Sequence, residues 1–335
     1  MGVDRIEATV WIRYICLLCI FVLGVVTIGG SGDDGGNDTV VDTIGVGDFP
    51  IDIVTAENDK GDMYAYVTNL RSDNISIIDL SDNTVVDTIS VGDEPRGLAT
   101  NPPLYDRIYA VSFDDREIIS LDPDDNVEDF TAGVTVGNPF DITVTPDNEY
   151  VWVTLYDKNM VMYSDLNTDA GIIPVGKRPQ GIAITPSGNT IYVVNFNSNN
   201  VSVISTSGNT IVKTISVGSG PWDIAIGVNS GVTEAYVTNK NDDTVSVISV
   251  SGNTVVSTIN VGDGPRGIAC SRDGHYVYVA NYNDDQVSKI DVSKNIEVQK
   301  IDVGSHPTSV AVSPDGEHVY VVESGDDTVS VLEQQ

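Results

Sequence analysis

The sequence predicts a seven-bladed β-propeller, and three observations carry that expectation. Val-Gly, a short spacer and Pro recur seven times, ending at Pro50, Pro95, Pro139, Pro179, Pro221, Pro265 and Pro307, with steps of 40 to 45 residues. An internal period of that length is the signature of a repeat architecture. In each unit an aromatic follows (Tyr66, Tyr109, Trp152, Tyr192, Tyr236, Tyr278, Tyr320), and thirteen residues further on stands Asp, Ser or Glu (Asp79, Asp122, Asp165, Ser205, Ser249, Asp291, Glu333). Within units, apolar and polar residues alternate at period two, the strand period, between turn residues. Four short antiparallel strands repeated seven times close radially into a propeller, which leaves only short sheet edges.

Residues 1–30 precede the repeats. An apolar run at 14–28 follows Arg5 and Arg13 and leads into a Gly/Asp linker at 31–37, the pattern of a secretory signal or, extended back to residue 10, of an N-terminal membrane anchor. Either reading places the propeller, residues 38–335, outside the cell, secreted or anchored. The strand Thr39–Ile44 repeats Thr84–Ile89 residue for residue, while the last unit stops at Val331-Leu332, its third strand. The N-terminal strand is therefore expected to complete the seventh blade and lock the ring. The unit at 221–261 reads as strands Pro221 to Ile226, Glu234 to Asn239, Thr244 to Ser249 and Thr254 to Val261, joined by Gly-, Asn- and Asp-rich turns. Cys16 and Cys19 lie in the leader and Cys270 in an innermost strand, so no disulfide is available to the propeller.

The units resemble the YVTN-family β-propeller repeats of archaeal surface-layer and other secreted proteins. The resemblance rests on Tyr66-Val67-Thr68-Asn69 and Tyr236-Val237-Thr238-Asn239, with Tyr192-Val193-Val194-Asn195 and Tyr278-Val279-Ala280-Asn281 close behind, and covers residues 39–335. Units two, three and seven depart from it with Ser112, Leu155 and Glu323 at the Asn position. The resemblance implies a cell-surface or extracellular module that engages other envelope proteins or glycans, or serves as an envelope structural part. The alternative is a propeller lactonase or lyase, because fold alone does not decide chemistry.

Forty-nine acidic against seventeen basic residues give a net charge of −32. That excludes a broad basic surface for nucleic acid and fits a self-repelling acidic exterior. Asn37, Asn74 and Asn200 each begin an Asn-x-Ser/Thr glycosylation pattern.

Chemistry is expected on one face, where the Val-Gly…Pro loops meet the turns between second and third strands. Eight of the fifteen basic residues beyond the leader fall there: Arg71, Arg96, Arg116, Lys158, Lys177, Arg178, Lys240 and Arg266. Arg96, Phe140, Gln180, Trp222 and Arg266 directly follow the prolines, and Arg178 and His306 directly precede them, so these seven are the ligand-binding candidates at the channel mouth. One position further in, the strands read Asp52, Gly97, Asp141, Gly181, Asp223, Gly267 and Ser309. Asp52, Asp141 and Asp223 are candidates for a hard cation such as calcium, which takes several oxygens, or for bonds to amides of the adjacent blade. The Asp122–Glu128 segment spaces oxygens like a calcium loop but has Val127 where such loops need Gly. Of three histidines only His306 lies on this face, and no nucleophile elbow, paired cysteine or phosphate-cradling loop is present. No catalytic residue and no cofactor is therefore expected.

Overall fold

Proline holds φ in the extended range and lacks an N–H, so it opens a strand without leaving a donor unpaired. Each of the seven prolines does so in a computed structural model of the chain, which describes residues 37–101, 107–134, 136–166 and 170–335. The first strands, Pro50–Glu57, Pro95–Thr100, Pro139–Val144, Pro179–Ile184, Pro221–Asn229, Pro265–Cys270 and Pro307–Val312, define blades 1 to 7. Among the described residues the molecule is seven four-stranded antiparallel sheets, with one short 3-10 turn at Phe196–Ser198. The expected leader and linker lie outside the described residues.

Blade 5 has the expected strands with one difference. Its first hairpin runs on to Asn229 and resumes at Val232, because Ser230 (φ 49°) and Gly231 (φ 80°) make a two-residue turn with both φ positive. That turn matches strand twist and lets both strands extend.

The core is divided seven ways. Each hydrophobic cluster is a sandwich between two neighbouring blades; one, for example, joins Tyr192, Val194 and Val203 of blade 4 to Ile224, Val237 and Ile248 of blade 5. Fully burying one such side chain contributes about 1.5–3 kcal/mol, so stability is spread around the ring and depends on its closure. The outermost strand of every blade but the third carries a register shift against its neighbour. Bulges of this kind twist an exposed edge away from pairing with another chain.

The repeat tyrosine links blades. Tyr66, Tyr192 and Tyr320 reach the side-chain oxygens of Asn126, Asn253 and Asn83 at 2.7, 2.6 and 3.1 Å. Each of these asparagines has positive φ in the outer turn of the next blade. In blade 3 the tyrosine is replaced by Trp152, whose indole N–H is buried without a partner. In blade 5 Tyr236 turns to Glu234 at 2.9 Å, and Asn295 Oδ1 is left without one.

Closure is as expected: Thr39–Gly45 pairs antiparallel with Thr328–Glu333 as the fourth strand of blade 7. A feature absent from the sequence reading fixes it. Asp38 occupies the place of the outer-turn asparagine, and its Oδ2 accepts from Tyr278 of blade 6 at 2.8 Å. Its Oδ1 accepts from Lys289 Nζ at 2.8 Å and from the Gln335 amide at 2.9 Å. Asp38 is 1 % and Lys289 4 % exposed. Lys289 pairs across the sheet with Tyr278. The same place opposite the tyrosine holds Val203, Val247 and Val331 in other blades. The backbone of Asp38 also exchanges two hydrogen bonds with the Gln299 side chain, at 3.1 and 2.8 Å. A buried ion pair adds little net stability against an apolar pair, but losing one partner strands a charge and costs about 3–5 kcal/mol. Lys289→Val alone is therefore expected to lower the denaturant stability by about 3–5 kcal/mol. Asp38→Asn with Lys289→Val, which restores the pattern of the other blades, is expected to recover most of that loss in the same unfolding curves.

Candidate functional site

The mouth of the channel is built by inter-blade loops whose backbone is pinned from the preceding blade. The residue before the proline has positive φ at Phe49 (55°), Glu94 (53°), Arg178 (52°), Gly220 (63°), Gly264 (66°) and His306 (55°). Glycine accepts that conformation freely; a residue with a side chain pays about 1–2 kcal/mol for it. A side-chain oxygen on the turn between second and third strands holds the amide in place. Phe49 N–H donates to Asp327 at 2.8 Å, Arg178 to Asn159 at 2.9 Å, Gly264 to Asp243 at 3.0 Å and His306 to Asp285 at 2.8 Å. One residue earlier in the loop, a side chain on the corresponding turn of the blade that the loop enters takes the amide: Asp115 takes Asp93, Asp242 takes Ser219 and Asp326 takes Ser305. Blade 2 has Arg116 where the other blades carry the acceptor for the amide before the proline, and the loop it faces is one residue shorter; there Asn138 donates to Asp157 of the blade that the loop enters. Much of the acidity on this face is therefore structural.

Inside this frame the side chains form a belt of rings and cations. The Arg96 guanidinium lies 4.5 Å from the Phe113 ring centre and 5.2 Å from that of Phe140. Phe140 stacks on Tyr156 at 5.3 Å and meets the edge of Trp222 at 6.3 Å. Trp222 also receives Lys240 at 4.6 Å and Arg266 at 4.9 Å, and Arg266 lies 3.3 Å from the Tyr282 ring centre. Arg178 covers Tyr156 at 5.2 Å, Arg71 covers Phe49 at 4.3 Å, and Tyr282 packs on His306 at 4.7 Å. Such contacts hold each cation in place at about 0.5–2 kcal/mol apiece. Arg96 is paired with Glu94 at 3.0 Å. Among the described residues Arg71, Arg178, Lys240 and Arg266 form no ion pair with a carboxylate. The Nε–H groups of Arg96 and Arg266 are buried and without an acceptor. Burial pulls Lys240 below the usual lysine range, and nearby Arg266 adds to it; burial likewise acts against the charged form of Arg266.

Six of the expected mouth residues thus sit at or around the opening: Arg96, Phe140, Trp222 and Arg266 line the channel, with Arg178 and His306 beside them. Gln180 does not reach it; it is 3 % exposed, with its Oε1 lacking a partner. The belt includes Phe113, Tyr156, Phe196 and Tyr282, which the sequence reading passed over. They carried a signal: each directly follows the Asn position of the repeat. Of the potential glycosylation sites, Asn37 is exposed, whereas Asn74 and Asn200 are half-buried at the start of third strands. Their Oδ1 atoms accept from Asn69 and Asn195 at 2.7 and 2.9 Å.

Below the belt the channel cavity has a volume of about 990 Å³. A register shift at the start of every first strand takes one amide per blade out of the ladder. The three aspartates collect six of these amides in pairs. Asp52 accepts from its own Ile53 and from Leu98 of blade 2, at 2.9 and 2.8 Å. Asp141 accepts from Ile142 and from Ile182 of blade 4, at 2.8 and 3.0 Å. Asp223 accepts from Ile224 and from Ile268 of blade 6, at 2.7 and 3.2 Å. The intervening residues must be glycine: a Cβ on Gly97 or Gly181 would fall 2.6 Å from Asp141 Cα or 2.7 Å from Asp223 Cα. Alternation of Asp and Gly cannot close around seven blades, and at the odd position Ser309 donates its hydroxyl to Asp52 at 2.8 Å. The carboxylates therefore serve as blade-to-blade links, and among the described residues no group of three or more His, Cys, Asp or Glu is arranged to hold a metal ion. In the Asp122–Glu128 segment, Asp122, Asp124 and Asn126 are likewise committed to contacts within the fold. Asp122 pairs with Arg107 at 2.8 Å, Asp124 accepts from the Asp59 amide at 3.1 Å and Asn126 from Tyr66.

Fold and site together define a seven-bladed propeller with a belt of aromatic rings and cations at one channel mouth. A model of the lactonase family, described as a seven-bladed β-propeller, matches residues 210–297. No curated protein matches the sequence significantly. Among solved structures, hydrazine synthase of Kuenenia stuttgartiensis is 18% identical over 85% of this chain and 96% of its own, with a TM-score of 0.73. The β-propeller domain of Cps50 (Swd1) of Myceliophteria thermophila is 13% identical over 89% of this chain and 100% of its own, with a TM-score of 0.74. At such identities the likeness is one of fold.

Desolvation in the channel pushes Asp52 up to about 6 and Asp223 up to about 7; Asp141 is raised well above 3.8 by the same burial and by the charges of Asp52 and Asp223. A carboxyl that binds its proton more tightly folded than unfolded stabilises the fold below its ordinary range, and that contribution is lost as pH rises through the folded value. The urea midpoint is therefore expected to fall between about pH 4 and pH 7. Asp223→Asn is expected to flatten that slope, as measured by unfolding curves across the interval.

Proposed function

We propose that this chain is a non-catalytic binding module of the cell surface, secreted or held by its N-terminal segment, which engages an envelope protein or glycan through the channel mouth. The observation that carries this reading is the aromatic–cation belt. In a chain of net charge −32, four cations gather on aromatic rings without a carboxylate partner around an open cavity, two of them, Lys240 and Arg266, at a desolvation cost. Desolvated cations without counter-ions are an arrangement that an anionic partner stabilises. The channel carboxylates support the same reading, since their oxygens are engaged by amides of two blades each. His306 packs on Tyr282, and among the described residues its ring forms no ion pair with a carboxylate; nearby Asp285 holds its backbone amide. The YVTN-like repeats and the apolar run at 14–28 favour the surface location.

A propeller lactonase or lyase is the second reading, favoured by the family-model match over residues 210–297. It would place Arg96, Arg266 and His306 at the reacting group.

The two readings part on one pair of assays. Full-length protein carrying Arg96→Met and Arg266→Met, which keeps apolar packing against the rings, is expected to bind isolated cell envelopes at least about tenfold more weakly than wild type. His306→Ala is expected to bind as wild type. Undiminished binding by the double variant would contradict the mouth as the recognition face. Lactone hydrolysis abolished by His306→Ala would favour the enzyme.

A further inference from the structure

We infer that the mouth takes an acidic sugar chain, one whose rings carry carboxylate or sulfate groups spaced to reach Arg96 and Arg266 together. This rests on the reading of the mouth as the recognition face and names the chemistry that the face selects.

Three features of the geometry lead there. The first is the order of groups across the opening. Arg96, Phe140, Trp222 and Arg266 follow one another as cation, ring, ring, cation, with successive separations of 5.2, 6.3 and 4.9 Å, and all four line the cavity. A ligand that satisfies both ends needs two oxyanions separated by an apolar-faced body that lies over the rings. Consecutive acidic sugars supply that pattern, with C–H faces for the aromatics and one charge per ring.

The second feature is what the mouth lacks for reading a peptide. Peptide recognition leans on free main-chain donors and acceptors at a strand edge or loop. Here the loop amides are already taken, by turn side chains such as Asp115, Asp242 and Asp326 and by Asp243, Asp285 and Asp327 one residue on. Recognition therefore falls to side chains, and those on offer are guanidinium, ammonium and aromatic groups.

The third is charge arranged in circles. The cations are innermost, while the capping aspartates lie on the surrounding turns, where Asp93 is raised chiefly by the negative charge of Asp115 and then of Asp73. A broad polyanion meets the acidic ring first and is repelled. A single slender chain entering at the centre reaches the guanidinium groups that line the cavity, Arg266, which has no carboxylate partner among the described residues, and Arg96, where it competes with Glu94. Two-point contact between guanidinium and carboxylate or sulfate is among the strong hydrogen-bonded pairs.

Isothermal titration of the full chain with trigalacturonate, its fully methyl-esterified form, a disulfated disaccharide and hexaglutamate tests this. Binding of trigalacturonate or of the sulfated sugar is expected, the stronger of the two identifying the oxyanion. The methyl ester is expected to bind at least tenfold more weakly than the free acid. Arg96→Met and Arg266→Met are each expected to weaken the acidic sugar at least tenfold, and Arg266→Lys by less, with unchanged thermal unfolding showing that each variant is folded. Equal binding of ester and acid, or hexaglutamate binding as tightly as the sugars, would overturn the inference. If no sugar binds yet envelope binding still depends on Arg96 and Arg266, this inference fails while the recognition face stands; if envelope binding is also indifferent to them, both fail.

Discussion

One first-strand amide per blade leaves its ladder at the channel and must find an acceptor, because a buried N–H without one costs about as much as a lost hydrogen bond. The rest of the ring is arranged around how that is done. Asp52, Asp141 and Asp223 each take one amide from their own blade and one from the next. Three carboxylates thereby couple blades 1 and 2, 3 and 4, and 5 and 6. The glycines between them exist because the next blade's Asp backbone comes too close for a Cβ. An odd number of blades leaves one place where neither residue fits, and Ser309 fills it by donating to Asp52. Because this ring sets where each first strand begins, it also sets where the residues one position outward emerge, and those are Arg96, Phe140, Trp222 and Arg266.

Closure adds a second, more local constraint. The seven interblade cores are each shared by two blades, so an opening between blades 6 and 7 would expose the surfaces of both. The N-terminal strand covers one of these junctions, and its position is fixed by Asp38 against Lys289, Tyr278 and the Gln335 amide. The identical sequence at Thr84–Ile89 means that side-chain pattern alone does not distinguish the closing strand from an outer strand of blade 1. The buried charge on Lys289 does, since no other blade offers a lysine opposite its tyrosine. That is register specification by a buried polar pair. At the mouth, by contrast, Arg178, Lys240 and Arg266 are without carboxylate partners among the described residues, and the difference between the two sites separates a structural charge from one free for a ligand.

How much of this was legible in the sequence follows from what a repeat reveals. Blade number, strand order and the closing strand all came from periodicity and from the Thr39–Ile44 duplicate, since these are statements about pattern. The alternation Asp52, Gly97, Asp141, Gly181, Asp223, Gly267, Ser309 was visible too. Its meaning was not, because a carboxylate facing an amide of the next blade and one facing a cation look alike until the register shifts place the amides. Lys289 is a charge where three other blades have valine, but its partner lies 251 positions away in the chain. The aromatics after the repeat Asn position, Phe113, Tyr156, Phe196 and Tyr282, were overlooked since each alone reads as an ordinary turn residue. Only the ring geometry brings Phe113, Tyr156 and Tyr282 against Arg96, Arg178 and Arg266, and Phe196 against Trp222. Gln180 shares the register of Arg96 and Trp222 yet is buried, which shows that equivalent repeat positions need not share exposure.

The most direct test of the paired-blade account is native-state hydrogen exchange, followed amide by amide, in wild type and in Asp223→Ala. If one carboxylate holds two blades, the Ile224 and Ile268 amides lose protection together while Ile142 and Ile182, held by Asp141, keep theirs. Loss of protection at Ile224 alone, or an equal loss at all four, would contradict it.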